Sequence, residues 1–329
     1  MKAVRITARG GPEVLELSEV PELSPGHGQA MVRVRASAIN RADLLQCLGQ
    51  YPAPPGAPPD IPGLEYAGEV VALGEGALDL KVGQRVMGIV SGGGFSEHLV
   101  VHERECVKIP ADLDFTEAAA IPEAFLTAFD ALVLQGNLRI GTRLLIHAVA
   151  SGVGTAALQL GSLAGALVIG TSRSQAKLDR CRSELALAHG ILCRDNPPRF
   201  ANEVRAIAGP LGVDLVLDLV GGAYLNETLA SMSPRGRLLL VGLLGGPEAT
   251  VPLRTLLSKR LTLTGTVLRS RAPEEKMSLA RAFEEQVLPA FSAGRLKAVV
   301  DSVFSVDEIR MAFAKMQRND SFGKIVVRW

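Results

Sequence analysis

Two short stretches of this chain carry its chemistry. The first is Ser151-Gly152-Val153-Gly154, which separates an apolar, partly β-branched run (Leu144-Leu-Ile-His-Ala-Val-Ala150) from a helix-like apolar pattern reaching Leu160. A parallel strand that enters a helix through a small-residue turn leaves backbone N–H groups at the positive helix end, where a diphosphate can sit. A dinucleotide site follows as the leading reading. The fingerprint is imperfect: Val149 stands where a further turn glycine is common, and Ala157 sits three residues after Gly154. A lone glycine turn has many false positives, so the next strand must support it.

That strand is the second stretch. Ala166-Leu-Val-Ile-Gly-Thr171 reads as β, and it runs into Ser172-Arg173-Ser-Gln-Ala-Lys177 without any acid. Enzymes that use an unphosphorylated nicotinamide dinucleotide place Asp or Glu there, on the ribose hydroxyls. A carboxylate would repel a 2′-phosphate, whereas the Ser172 hydroxyl, the Arg173 guanidinium and the Lys177 ammonium can hold one by charge-assisted bonds. If a helix begins here, Arg173 and Lys177 share a face. A solvated basic helix start is the plainer alternative. The expected cofactor is NADPH rather than NADH.

The elements around these stretches change texture along the chain. Up to about Ile121 short alternating runs such as Gln29–Ala36 are punctuated by glycine turns, a β pattern. From about Pro122 to Val267, apolar strands (Arg143–His147, Leu167–Thr171, Val213–Leu217, Arg237–Val241, Leu261–Thr266) alternate with helical patterns, which implies βαβ units and a doubly wound parallel sheet. A long amphipathic helix over Pro273–Phe291 and a strand over Lys324–Arg328 close the chain. Pro52–Pro62 holds six prolines and reads as a stiff loop.

Composition fits an enzyme of two domains. At 329 residues the chain exceeds one core, and its net charge of +1 suggests neither a nucleic-acid nor an anionic-membrane surface. Leu144 to Ser172 contains no charged residue, long enough to cross a membrane. Its glycines and polar residues favour a buried strand, helix and strand instead. Cys47, Cys106, Cys181 and Cys193 form no C-x-x-C pair, and the N-terminus is too charged for a signal segment. The expected location is the cytosol.

Further residues bring a resemblance. Asn40-Arg-Ala-Asp-Leu-Leu-Gln46, Gly49-Gln-Tyr-Pro52, Gly63-Leu-Glu-Tyr-Ala-Gly68, Ala148–Gly154, Leu268-Arg-Ser-Arg271 and Gly323-Lys-Ile-Val326 together resemble the zinc-free quinone oxidoreductases of the medium-chain dehydrogenase/reductase superfamily. The tumour-suppressor-inducible quinone oxidoreductase subgroup is the nearest match by these motifs. The resemblance implies a chaperonin-10-like (GroES-like) β-barrel catalytic domain, residues 1–121 and 268–329, around a Rossmann NADP-binding domain, residues 122–267. It implies homodimers, or tetramers, built by edge pairing of the cofactor sheets through Leu261–Thr266. Zinc-dependent relatives carry Cys and His where this chain has Asn40 and Leu64, so no metal is expected. His98 and His102, four apart in a strand, are separated by about 13 Å, too far to share an ion.

The matched positions assign roles. Without a metal, polarising a carbonyl falls to hydrogen-bond donors. Tyr51 is the candidate donor, its hydroxyl protonated at neutral pH; packing on the proline run is its structural alternative. Asn40 is expected on the nicotinamide ribose or the substrate, Asp43 orienting its loop, and Glu65 paired with an arginine. Ser151 either contacts diphosphate or nicotinamide or merely caps its helix. Thr127 approaches the ribose, and Gly152, Val153 and Gly154 follow the diphosphate. Val220, Gly221, Gly242 and Leu243 face ribose and nicotinamide, while Leu268, Phe322 and Lys324 close the site. Cys193 falls where relatives carry a tyrosine at the adenosine end, and Arg173 would compensate. Arg269 and Arg271 receive no role.

Three activities remain open at this level. The first is NADPH-dependent reduction of a small quinone between the domains, by hydride or single-electron transfer. The second is enone or enoyl-thioester reduction, with Tyr51 protonating the α-carbon. The third is a non-enzymatic, NADPH-carrying RNA-binding or structural protein.

Overall fold

The computed structural model describes residues 1–329. They form two compact units, Met1–Leu126 with Leu268–Trp329, and Thr127–Val267.

The first unit is organised by one long strand, Gln29–Ile39. Its alternation sends Ala30, Val32, Val34 and Ala36 inward, all essentially inaccessible, as the two-residue period of a half-buried strand requires. Antiparallel partners are Glu65–Leu73, His98–His102 and Lys324–Arg328. Arg85–Ile89 and Val107–Lys108 extend the sheet on one side, and Val300–Ser305 lies parallel to the C-terminal strand on the other. One core gathers Val32, Val34, Tyr66, Val70, Val86 and Leu99. A second packs Ile39, Phe95, Phe313, Ile325 and Val327. Each such side chain contributes roughly 1.5–3 kcal/mol on burial.

Register decides what meets at the sheet's end. Ile325 pairs with Ile39, and Ala67 with Ala36. Asn40 just past one strand, Glu65 opening a second and Lys324 opening a third therefore come together.

The second unit is a six-stranded sheet, parallel at every pairing, in the order His189–Leu192, Leu167–Ser172, Arg143–Ile146, Val213–Asp218, Met232–Leu240, Thr262–Gly265. Numbered along this unit, the order is 3-2-1-4-5-6, the doubly wound arrangement with its switch point between the first and fourth strands. The turns after those two strands hold Ser151–Gly154 and Val220-Gly221. The charge-free stretch folds as strand, helix Gly152–Leu163 and strand. No helix is long and apolar enough to cross a membrane.

The sequence reading leaves out the strand Val300–Ser305 and the helix Ile309–Gln317, and two further elements differ from it. The strand His189–Leu192 is short and contains a glycine, so its periodicity is too weak to read. The single helix over Pro273–Phe291 is two, Pro273–Gln286 and Leu288–Ser292. Pro289 lacks the N–H that a continuous helix would use there.

Candidate active and nucleotide-binding sites

In the second unit the turn after the first strand is tightly held. Ala148 takes a left-handed backbone (φ 50°), a conformation that costs a non-glycine residue energy. A Cβ on Gly154 would meet Ala148 O at 2.4 Å, so only glycine fits where helix and turn touch. The Ser151 hydroxyl donates to Ala148 O (2.8 Å) and accepts from Gly154 N–H (3.1 Å). Ser151 thus has the cap role. The Thr155 N–H already bonds Ser151 O, which leaves the N–H groups of Gly152 and Val153 as the first-turn donors available to an anion.

The neighbouring strands add an acceptor. Asp218 ends Val213–Asp218 and is fully buried. Its Oδ1 accepts from Val220 N–H and Gly221 N–H, each at 2.8 Å, while its buried Oδ2 has no partner. An orphaned carboxylate oxygen beside a Rossmann switch point suits a ligand hydroxyl. At the end of the second strand, Ser172 is buried and its Oγ accepts from Ser174 N–H (3.2 Å). Ser174 caps the helix Gln175–Leu185. Arg173 therefore lies before the helix, exposed in the turn, and does not share a helical face with Lys177 as the spacing suggested. Diphosphate donors, an orphaned acceptor and an acid-free basic turn together fit a phosphorylated dinucleotide.

Cys193 does not belong to this surface. It is 3% exposed and packed in the core with Phe200 and Ile191, so the role expected at the adenosine end is corrected. The Tyr224 hydroxyl is hydrogen-bonded to its thiol, and burial pushes that thiol up to about 12. The rings of Tyr224, His147 and Phe200 cluster, Tyr224 lying 5.1 Å from His147 and 5.3 Å from Phe200 by ring centroids. His147 is fully buried; its Nδ1 lies 2.9 Å from Thr171 Oγ1 and its Nε2 2.9 Å from Thr228 Oγ1. Because Thr228 donates its hydroxyl to Tyr224 O (2.8 Å), it accepts from Nε2–H. Burial lowers the His147 pKa to about 4, against the opposing charge of Asp218. Thr127 and Val220 are buried, Gly221 has the left-handed φ of 61°, and Leu243 is half exposed.

In the first unit the sheet end forms a closed polar cluster. Lys324 Nζ reaches Glu65 Oε1 (2.6 Å), Asn40 Oδ1 (2.5 Å) and Ile39 O (3.2 Å). Asn40 Nδ2 donates to Glu65 Oε1 (2.8 Å), and Glu65 Oε2 accepts from Glu123 N–H (2.8 Å). Two expectations change. Lys324 has given all three donors to the protein, and both ends of the Asn40 amide are taken, so these residues order the site instead of offering groups to a ligand. The partner of Glu65 is a lysine, not an arginine. Phe322, expected to close the cofactor site, is a core residue at 1% exposure; Leu268 is buried as well.

Asp43 has the orienting role read for it: its Oδ2 accepts from Asn40 N–H (2.8 Å) and its Oδ1 from Gly63 N–H (2.9 Å). Burial raises its pKa to about 6 despite those bonds. Burial, with Glu65 next in weight, pushes Glu123 up to about 8. Tyr51 is half-buried, its hydroxyl raised by desolvation and by Glu123 and lowered by Arg269. The proline-rich segment beside it forms neither helix nor strand. Glu123 was invisible in the sequence, since it sits in no motif whose spacing signals chemistry, and Arg269 lies in the quoted Leu268–Arg271 stretch but nothing there assigned it a role.

No group of three or more His, Cys, Asp or Glu side chains is arranged to hold a metal ion. At the two positions where a thiolate and an imidazole would be needed stand the Asn40 amide, already bonded to an ammonium, and Leu64, 2% exposed. That donor set does not fit zinc.

Residues 26–111 match the alcohol dehydrogenase GroES-like domain, and residues 152–285 match the zinc-binding dehydrogenase model. The chain is 31% identical over 329 residues to a quinone oxidoreductase-like protein 2 homolog of Nematostella vectensis, covering 99% of this chain and 88% of that one. It is 31% identical over 344 residues to a synaptic vesicle membrane protein VAT-1 homolog of Rattus norvegicus, covering 99% and 84%. Among solved structures it resembles a mycobacterial protein complexed with NADPH (TM-score 0.88, 28% identity, 100% of both chains). It also resembles the CurK enoyl reductase (TM-score 0.88, 28% identity, 99% and 98%). A GroES-like unit joined to a doubly wound dinucleotide fold, without zinc ligands, defines the class. The chain belongs to the zinc-free quinone oxidoreductase branch of the medium-chain dehydrogenase/reductase superfamily.

Proposed function

We propose that this chain is an NADPH-dependent oxidoreductase that reduces small quinones without a metal. The observation that carries the reading is the acid-free turn Ser172-Arg173, which follows the strand paired in parallel with the one leading into Ser151–Gly154. When bound, NADPH supplies the hydride. The Gly152 and Val153 N–H groups would hold its diphosphate, Asp218 would accept from a ribose hydroxyl, and Arg173, Ser172 and Lys177 would hold the 2′-phosphate. Tyr51 donates its phenolic hydrogen to the substrate oxygen on which negative charge develops. Its raised pKa keeps that proton in place at neutral pH. Asn40, Glu65 and Lys324 hold one another at the end of the sheet in the same unit as Tyr51.

The relative named a quinone oxidoreductase-like protein favours the quinone; the CurK neighbour keeps enoyl reduction as the alternative. Turnover of 1,2-naphthoquinone and of a crotonyl thioester, each with NADPH and NADH, tests the choice. Fast NADPH-dependent quinone turnover is expected, with little on the thioester; the reverse order overturns the assignment.

The unpaired edge of Thr262–Gly265, with the exposed Leu257 near it, suits pairing with a second copy of the chain. Sedimentation is expected to give a dimer. All four cysteines are free thiols, which agrees with the cytosol. With a net charge of +1, no retention of AU-rich RNA is expected in filter binding.

A further inference from the structure

Arg269 is buried, 5% exposed, in the unit that holds Tyr51. No carboxylate makes an ion pair with it; its charge is balanced at longer range by Asp43 and Glu123. Instead its fork spans three separate segments. Nε donates to Ser91 O (2.8 Å), Nη1 to Tyr51 O (3.1 Å) and Nη2 to the Gln46 side chain (2.5 Å). The guanidinium carbon stands over the Tyr51 ring, 5.1 Å from its centroid. Ser91 replies by donating its hydroxyl to Arg269 O (2.8 Å), and Lys276 Nζ bonds that same hydroxyl (2.5 Å). Gln46 passes the constraint on by donating to Pro59 O (3.0 Å), inside the proline-rich loop.

Burying an unpaired guanidinium is costly. Packing alone would be met more cheaply by Leu or Met. What only Arg supplies is a planar fork that reaches several acceptors at once and a fixed charge that stacks on an aromatic face. We propose that Arg269 is the positioning residue for Tyr51: it fixes the backbone and ring of the tyrosine and holds a positive charge against the ring as the phenolic proton leaves. This rests on the reading of Tyr51 as the proton donor. The proton moves from Tyr51 to the reduced substrate oxygen, and the charge left on the phenolate faces the guanidinium. The groups that act on this titration are Glu123, which opposes the phenolate, and Arg269, which favours it. Asp43 and Lys276 bear on Arg269 itself.

The test is a mutant cycle on the full chain with NADPH and 1,2-naphthoquinone, read as kcat, KM and the pH profile of kcat. Tyr51→Phe is expected to lose about 100-fold in kcat. Arg269→Gln is expected to lose roughly tenfold and to move the alkaline limb of kcat to higher pH, because the phenolate loses its cation. Arg269→Lys keeps the charge but not the fork: kcat falls while the alkaline limb stays, and this variant also covers the case in which the glutamine fails to fold. Tyr51→Phe with Arg269→Gln is expected to be no slower than Tyr51→Phe alone. Unchanged kcat and pH profile in Arg269→Gln, or losses that add in the double variant, overturn the role of Arg269. If Tyr51→Phe keeps full kcat, the donor assignment itself fails, a result distinct from the first.

Discussion

Lys324 Nζ stands 2.6 Å from Glu65 Oε1, with the two side chains 5% and 0% exposed. A pair this dry adds little over well-packed apolar residues, but removal of one partner strands the other charge. Lys324→Met is therefore expected to lower the unfolding free energy by about 3–5 kcal/mol. Adding Glu65→Gln should recover part of that loss, because the remaining side chain carries no charge. Urea unfolding of the two variants checks this, and additive losses would contradict it.

Tyr51→Phe removes the hydroxyl and leaves the ring over Arg269. A fall of about 100-fold in kcat is expected with 1,2-naphthoquinone, with the NADPH KM nearly unchanged. Steady-state kinetics measure both. A larger effect on the NADPH KM than on kcat would move Tyr51 from proton donation to cofactor binding.

Arg173→Ala should weaken NADPH by roughly 10- to 100-fold, the worth of one charge-assisted bond, and leave NADH little affected. Fluorescence titration with both nucleotides decides it. Equal losses for the two would show that the guanidinium does not read the 2′-phosphate.

His147 links stability to acid. Its pKa is about 4 in the folded chain, below its ordinary value of 6.5. Above pH 6.5 both states are neutral and the histidine contributes no pH dependence. As pH falls from 6.5 toward 4, the unfolded chain takes up a proton that the folded chain refuses, and stability falls by about 3 kcal/mol. His147→Gln should flatten that part of the curve. Urea midpoints between pH 7.5 and 4.5 are the measurement, and an unchanged slope in the variant would count against this account.

The turn geometry of the candidate nucleotide site was legible because its physics is local. Ser151–Gly154 is a turn whose residues must be small, and the missing acid after Thr171 is a property of one strand end. The catalytic half depends on register. Asn40, Glu65 and Lys324 are far apart in sequence and meet only because Ile325 lies opposite Ile39 and Ala67 opposite Ala36. No spacing rule announces that, so two side chains assigned to ligands proved to serve each other. Cys193 shows the complementary error: its place in the chain matched a binding position, but just past the strand His189–Leu192 its side chain lies in the core, hydrogen-bonded to Tyr224.

Asp218 has a wider consequence. A dehydrated carboxylate with one lone oxygen is a defect that a sugar hydroxyl would heal, so the folded state gains more from cofactor than contact area alone suggests. The resistance of this protein to heat and proteases would then follow the supply of the dinucleotide, oxidised or reduced alike, since both forms carry that hydroxyl.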